Sequence, residues 1–266
     1  MSQIAEKNET VDVKIGEETH ALPVIVGTED EHGIDISKLR GKTSYVTLDP
    51  GFKNTGSCKS AITFLNGEEG VLRYRGYSIE DLAEKASFME VVYLLLKGEL
   101  PTQSELDAFN QQITEESDLP EGLAAIVDAF PADSHPMGML ASTINALHGF
   151  YPESLDPYRS DEAKDKTIIR LIAKMPAICA MLYRKMNGLS YNQSDANLDY
   201  SENFLRLMYA KDGEDYEVNQ SIASAINQLL ILHADHEQNC SASTVRIVGS
   251  AHANLYTAIS AGVSAL

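Results

Sequence analysis

From Tyr77 onward the hydrophobic spacing of the chain changes from a period of two to one of about 3.6, and it does not change back. Ser78-Ile79-Glu80-Asp81 offers a start signal at that point, because the Ser78 hydroxyl can accept from first-turn amides. The run "SFMEVVYLLLKGELPT" then reads as a helix that Gly98 and Pro101 stop. Further helical patterns follow at 103–116, 121–130, 136–150, 161–187, 199–210, 216–239 and 252–266. Short, turn-rich segments such as "YPESLDP" and "KDGEDYE" join them. Pro176, inside 161–187, predicts a kink or a break, since proline has no N–H to give to the helix. The pattern specifies a mainly α protein: residues 1–77 form an N-terminal β/loop region and residues 78–266 a helical domain.

Within the first region, "VDVKI" alternates as a half-buried strand should, and "TSYVTL" (43–48) is β-branched and aromatic up to the turn signal Asp49-Pro50-Gly51. Residues 61–77 form the best hairpin candidate, two β-rich runs around Asn66-Gly67, a pair that tolerates the positive φ of a tight turn. Arg73 and Arg75 flank Tyr74 there and read as a solvated strand face.

Composition excludes several classes of partner. With 39 acids against 21 bases the net charge is −18, which opposes nucleic-acid binding and adhesion to an anionic membrane. No run approaches the roughly 18–20 apolar residues of a membrane span. "MSQIAEKNETVDVK" lacks the basic-then-apolar layout of a signal peptide. Cys58, Cys179 and Cys240 are far apart and odd in number, and they read as reduced thiols of a cytoplasmic protein. The glycines form no G-x-G-x-x-G. His135 and His148 read as helix-end or packing residues, while His20, His32 and His252 have no informative context.

The final stretch "SAHANLYTAISAGVSAL" grows more apolar toward Leu266 and carries none of the usual helix stop signals. It predicts a fragment of a longer protein, interrupted inside a buried helix.

The segment "NQLLILHADHEQNCSAST" (227–244) carries the chemistry. Taken as one helix over 222–240, Ile222, Ile226, Leu229, His233, His236 and Cys240 form a single stripe, so both histidines are expected on the buried face. A buried imidazole needs a partner or loses about 1–3 kcal/mol. Core histidines satisfied by carbonyls or carboxylates are one reading. Metal binding is another, although the spacing is His-x-x-His without the His-Glu-x-x-His pattern. The third is an anion or carbonyl site, supported by Gln238, Asn239 and the hydroxyls that follow.

These residues closely resemble the corresponding motif of citrate synthases. The similarity continues through "VRIVGSAHANLYTAISAGVSAL" and upstream through "TLDPGFKNTGSCKSAITFLNGEEGVLRYRGYSIEDLA", which looks like the N-terminal β region of Gram-negative-type bacterial enzymes. "LKGELPT", "DSHPMGML" and "LIAKMPAI" fall in the expected order. The resemblance implies a multi-helical large domain behind the small β region, and condensation of acetyl-CoA with oxaloacetate to citrate and CoA. No metal or cofactor is implied, since acetyl-CoA is a substrate. Oxaloacetate and acetyl-CoA are the expected ligands, and a homodimer or homohexamer the expected assembly, to which an exposed apolar C-terminal segment would contribute.

Carried over by position, His236 and then His233 are the expected substrate-binding donors, while Asp235 and Glu237 either orient groups nearby or are plain solvated or capping acids. The family's enol-stabilising histidine, the later histidine that polarises the oxaloacetate carbonyl, the catalytic aspartate and the carboxylate-binding arginines are expected beyond Leu266, so the chain alone is expected to be inactive. Tyr151, Arg170 and Lys174 stand where the resemblance implies an allosteric NADH site. Arg170 and Lys174, at i and i+4, could hold a pyrophosphate or equally be solvated bases. Gly213 replaces a cysteine expected at that site, and "QQITEESDLPEG" lacks its basic contacts. Alternatives are a 2-methylcitrate synthase, a non-catalytic regulator on the same scaffold and, more distantly, a metal-dependent hydrolase.

Overall fold

The computed structural model describes residues 9–265, which divide into two compact units, one ending at Ala61 and the other starting at Ile62. In the first, β1 (Thr10–Ile15) and β2 (Glu18–Val26) form an antiparallel hairpin, with Ile15 opposite Glu18 and Gly16 at φ +63° in the turn. β3 (His32–Ile34) pairs with the end of β2, and α1 (Leu39–Thr43) follows. The predicted strand 43–48 does not form. Thr43 ends α1, and 45–49 run as irregular chain with Tyr45, Val46 and Leu48 exposed, so its β-branched residues meet no partner strand among the described residues.

The second unit begins with the predicted hairpin. β4 (Thr63–Asn66) pairs antiparallel with β5 (Val71–Tyr74), Thr63 opposite Tyr74, and β6 (Tyr77–Ser78) joins β5. The Asn66 side chain accepts from the amides of Glu68 and Glu69 at 3.1 Å, which closes the turn. Ten α-helices follow among the described residues: α2 (Ile79–Lys85), α3 (Phe88–Lys97), α4 (Gln103–Glu115), α5 (Leu123–Asp128), α6 (Pro136–Ala146), α7 (Asp161–Met186), α8 (Tyr200–Tyr209), α9 (Gln220–Leu232), α10 (Cys240–Gly249) and α11 (Leu255–Ser264). The predicted cap at Ser78 forms, its hydroxyl accepting from Asp81 N, and the structure adds full capping boxes at Ser87, Thr102 and Asp199, each with a glutamate three residues on.

Pro176 does not break α7. The carbonyl it leaves without a partner, on Ile172, receives the Tyr200 hydroxyl at 2.9 Å. Further along α7, buried Arg184 donates to the carbonyls of Met208 (3.0 Å) and Ala210 (2.8 Å), which ties the end of α8 to α7.

Two apolar clusters support the segments that carry the candidate residues. One joins α5, α6, α7 and α11 through Leu123, Met139, Ile144, Ile178 and Tyr256. The other joins the hairpin to α2, α3 and α9 through Tyr74, Leu82, Val91, Leu94 and Ile231. The apolar C-terminal helix α11 is therefore packed, as its reading as a buried helix requires and against the expectation of an exposed apolar segment: Tyr256, Ala258 and Gly262 are buried. Exposed aliphatic surface lies on α9 and α10 instead, at Ile222, Leu229, Leu232 and Ile247.

Candidate functional site

The predicted single helix over the histidine segment is two helices with a loop between them. α9 ends at Leu232, with His233 as its C-cap, and α10 starts at Cys240, with Asn239 as its N-cap accepting from Ala242 N at 2.8 Å. The predicted buried stripe is overturned as well. Ile222 and Leu229 are each 50% exposed, and His233, His236 and Cys240 are exposed, whereas Ala223 and Ile231 are buried. Asn227 explains the inversion. Its side chain accepts from Phe88 N at 2.7 Å and donates to the Ala86 carbonyl at 3.3 Å, so the face of α9 that packs on α3 contains a polar residue.

The loop still brings the two imidazoles together. Their ring centroids are 5.9 Å apart with planes inclined at 51°. His233 Nδ1 lies 2.8 Å from the Leu229 carbonyl, which orients that ring and leaves Nε2 directed elsewhere. The neighbouring acids turn away from the pair. Asp235 Oδ2 accepts from the Thr63 hydroxyl and, at 3.1 Å, from Glu237 N, while Glu237 Oε1 accepts from Leu65 N at 3.0 Å. The Tyr74 hydroxyl lies 3.2 Å from the Ile231 carbonyl and 3.1 Å from the Asp235 carbonyl, and it is 3.3 Å from Asp235 N. Burial pushes the Tyr74 phenol above its ordinary range, which keeps it a neutral hydroxyl able both to donate and to accept. Two exposed histidines stand beside the start of α10: His236 can donate to a carbonyl or carboxylate oxygen, and His233, whose Nδ1–H faces the Leu229 carbonyl, can donate through Nε2 only with both ring nitrogens protonated.

Sequence reading did not identify Thr63 and Tyr74 as part of this arrangement. The available signal was one tyrosine alternating with two arginines. Arg75 is not on a solvated face, because its Nη2 donates to the Leu95 carbonyl at 2.9 Å near the end of α3.

The second set of predicted residues also converges, but differently from either reading. Arg170 and Lys174 are 5% and 2% exposed, which rules out solvated bases. The Arg170 guanidinium carbon is 3.7 Å from the centroid of the Tyr151 ring, and Tyr151 stacks on Tyr256 at 5.9 Å. Arg170 Nε donates to Glu116 at 2.8 Å and Nη1 to Glu153 at 2.9 Å. Lys174 Nζ donates to the carbonyls of Glu116 and Asp118, which terminate α4. Burial pushes the Glu116 carboxyl up, but the Arg170 hydrogen bond and the charges of Arg170, Lys174 and Lys166 outweigh it and hold it below its ordinary value. Burial also pushes Lys174 down to about 8 and Tyr256 up to about 12. An anionic nucleotide here would have to compete with two carboxylates for Arg170.

Gly213 lies elsewhere, in a polar crevice that Asp195, Arg206, Asp212 and Tyr216 also line. His135 accepts from Met137 N at 3.3 Å at the start of α6, the helix-end role expected of it. All three cysteines are free thiols. No helix of the described residues is long and apolar enough to cross a membrane.

The family profile described as citrate synthase, C-terminal domain, matches residues 51–266. The chain is 46% identical over 246 residues to the citrate synthase of Corynebacterium glutamicum, covering 92% of this chain and 56% of that protein. It is 46% identical over 245 residues to citrate synthase 1 of Mycobacterium tuberculosis, covering 92% and 57%. Among solved structures it is similar to citrate synthase from Pyrobaculum aerophilum, with TM-score 0.72 and 27% identity over 97% of this chain and 59% of that one. It is also similar to a ternary complex of the Thermoplasma acidophilum enzyme with carboxymethyl coenzyme A and oxaloacetate, with TM-score 0.73 and 25% identity over 83% and 56%. The chain thus spans a little over half the length of these relatives.

Proposed function

The chain belongs to the citrate synthase family, and from that premise we propose that it carries part of the oxaloacetate site of an enzyme condensing acetyl-CoA with oxaloacetate to citrate and free CoA. The supporting observation is the 233–239 loop, where two exposed imidazoles stand 5.9 Å apart while Asp235 and Glu237 are engaged by the hairpin. With both acids of the loop engaged by the hairpin, neither carboxylate is left free beside the two imidazoles. In this reading His236 first and His233 second donate to a substrate oxygen or carboxylate, His233 through Nε2 with both ring nitrogens protonated because its Nδ1–H faces the Leu229 carbonyl. A donor aimed at the keto oxygen stabilises the negative charge that develops there as the new carbon–carbon bond forms. A general base must remove the acetyl methyl proton to generate the attacking carbon.

The same reading includes self-association into a homodimer or homohexamer and a cytoplasmic location. It does not include a nucleotide role for Tyr151, Arg170 and Lys174, because both cations already have internal partners.

A thiol-release assay on the complete protein with acetyl-CoA and oxaloacetate tests the proposal. His236→Ala should weaken oxaloacetate by about ten- to a hundredfold, the range for losing a hydrogen bond to a charged ligand. Wild-type oxaloacetate affinity in that variant, or no citrate formed by the unmodified protein, would sink it.

A further inference from the structure

We propose that the β4–β5 hairpin positions the histidine loop, with Tyr74 and Thr63 as the positioning residues that set oxaloacetate affinity without touching it. The inference rests on the assignment of His233 and His236 as oxaloacetate donors.

Within itself the loop is tied by the Glu237 N–Asp235 Oδ2 bond at 3.1 Å and has no regular secondary structure. Residues 233–239 form neither helix nor strand, and Glu237 adopts φ +56°, a left-handed conformation that side-chain-bearing residues disfavour. Its further anchors come from outside. Four groups around Asp235 are fixed by two hairpin side chains: the Ile231 and Asp235 carbonyls and Asp235 N meet the Tyr74 hydroxyl, and the Asp235 carboxylate meets the Thr63 hydroxyl. Thr63 and Tyr74 are opposite each other in the strand register, so one rigid cross-strand pair supplies both contacts. Tyr74 is fully buried among Leu82, Val91, Leu94 and Ile231, which makes its hydroxyl a fixed point relative to α9.

Asp235 lies between the two histidines, so immobilising its main chain and side chain fixes the Cα positions on either side. Glu237 extends the same grip, its amide bonded to Asp235 Oδ2 and its carboxylate to Leu65 N. A loop held at 235 and 237 presents ring 236 between two anchored residues. Releasing the anchors leaves every substrate-facing group in place chemically but lets the pair spread its orientations, and affinity falls by the fraction of time the pair is competent.

The test uses Tyr74→Phe, which keeps the packed ring and removes only the hydroxyl, and Thr63→Val, which removes the second anchor, with Thr63→Ser as the conservative control. In the complete protein, Tyr74→Phe and Thr63→Val should each raise the oxaloacetate KM about three- to tenfold. The acetyl-CoA KM should stay as in the parent, and hydrogen exchange at the amides of Asp235 and Glu237 should quicken. Thr63→Ser should restore the oxaloacetate KM, which a general loss of fold would not allow. Unchanged oxaloacetate KM in Tyr74→Phe and Thr63→Val, beside a loss of affinity in His236→Ala, overturns the hairpin inference alone. Parent-like affinity in His236→Ala overturns the reading of the histidines, and the hairpin inference with it.

Discussion

The Tyr200 hydroxyl donates to the Ile172 carbonyl at 2.9 Å, the acceptor that Pro176 deprives of its usual helical donor four residues on. A substitute donor from α8 thus allows α7 to continue through a proline. Tyr200→Phe keeps the ring, 5.4 Å from that of Phe88, but leaves the carbonyl unsatisfied. It should cost about 1–2 kcal/mol in urea unfolding. In the Pro176→Ala background the main-chain N–H returns, and the same change should cost distinctly less. Equal costs in both backgrounds would show the two residues to be uncoupled.

Arg170 joins α7 to the end of α4 through Glu116 and to the 152–155 turn through Glu153, with Tyr151 beneath its guanidinium plane. Arg170→Met removes the cation and leaves the half-buried Glu116 carboxylate without its nearest partner. The expected loss is about 2–4 kcal/mol, reduced from the fully buried case because Glu153 is well exposed. Glu116→Gln in the Arg170→Met background should return part of it, because the acid that then remains unpaired, Glu153, is well exposed. Thermal unfolding of the three variants measures both effects.

Lys174 gives the stability of the protein a definite pH slope. Burial lowers its folded value to about 8 against 10.5 ordinarily, so between those limits the unfolded chain binds more protons than the folded one. Stability contributed by this group therefore rises with pH across that window and is flat below it. The comparison that isolates it is the unfolding free energy of the parent minus that of Lys174→Met, at pH 7.5 and again at 9.5. The difference should shift in favour of the parent at the higher pH. A shift in the opposite direction would mean that Lys174 is stabilised, not penalised, as an ammonium.

Gly262 sets the approach of α11 to α10. A Cβ there would lie 2.5 Å from Val245 Cγ2 and 3.4 Å from the Ser241 carbonyl oxygen. Valine is stiff about χ1 and cannot swing aside cheaply, so Gly262→Ala should lose about 1–3 kcal/mol despite alanine's better helix propensity. Val245→Ala in the same chain should recover much of that loss, and denaturation midpoints of the single and double variants would reveal whether it does.

Most elements were legible because their signals are local. The cap at Ser78, the Gly98 stop and the Asn66-Gly67 turn each depend on residues within four positions. The histidine segment defeated the same reasoning. Near its end α9 is aliphatic on all sides, at 229–232, so periodicity could not select the packed face, and Asn227 argued against the correct one. His-Ala-Asp-His also continues the helical spacing while lacking a stop residue. What ends α9 is the long-range grip of Tyr74 on Ile231 and Asp235, more than 150 positions away in the chain. The proximity of the two imidazoles survived the error, because three residues of separation keep them adjacent in a helix and in this turn alike.

Asn227 offers the most direct check on that explanation. Its amide is the only side chain among the described residues that bonds both the Phe88 amide and the Ala86 carbonyl, at the very start of α3. Asn227→Leu would suit the aliphatic pattern of α9 and suit the structure badly: two main-chain groups lose their partners, at about 1–3 kcal/mol together. Asn227→Asp keeps an acceptor for Phe88 N and adds a negative charge at a helix N-terminus, where it is favourable, but it faces the Ala86 carbonyl without a donor. It should fall between the parent and Asn227→Leu. Hydrogen exchange at Phe88 N reads the contact itself: fast in Asn227→Leu, protected in Asn227→Asp. Full protection in Asn227→Leu would mean that α3 is anchored by its capping box alone and that the polar residue does not dictate which face of α9 is buried.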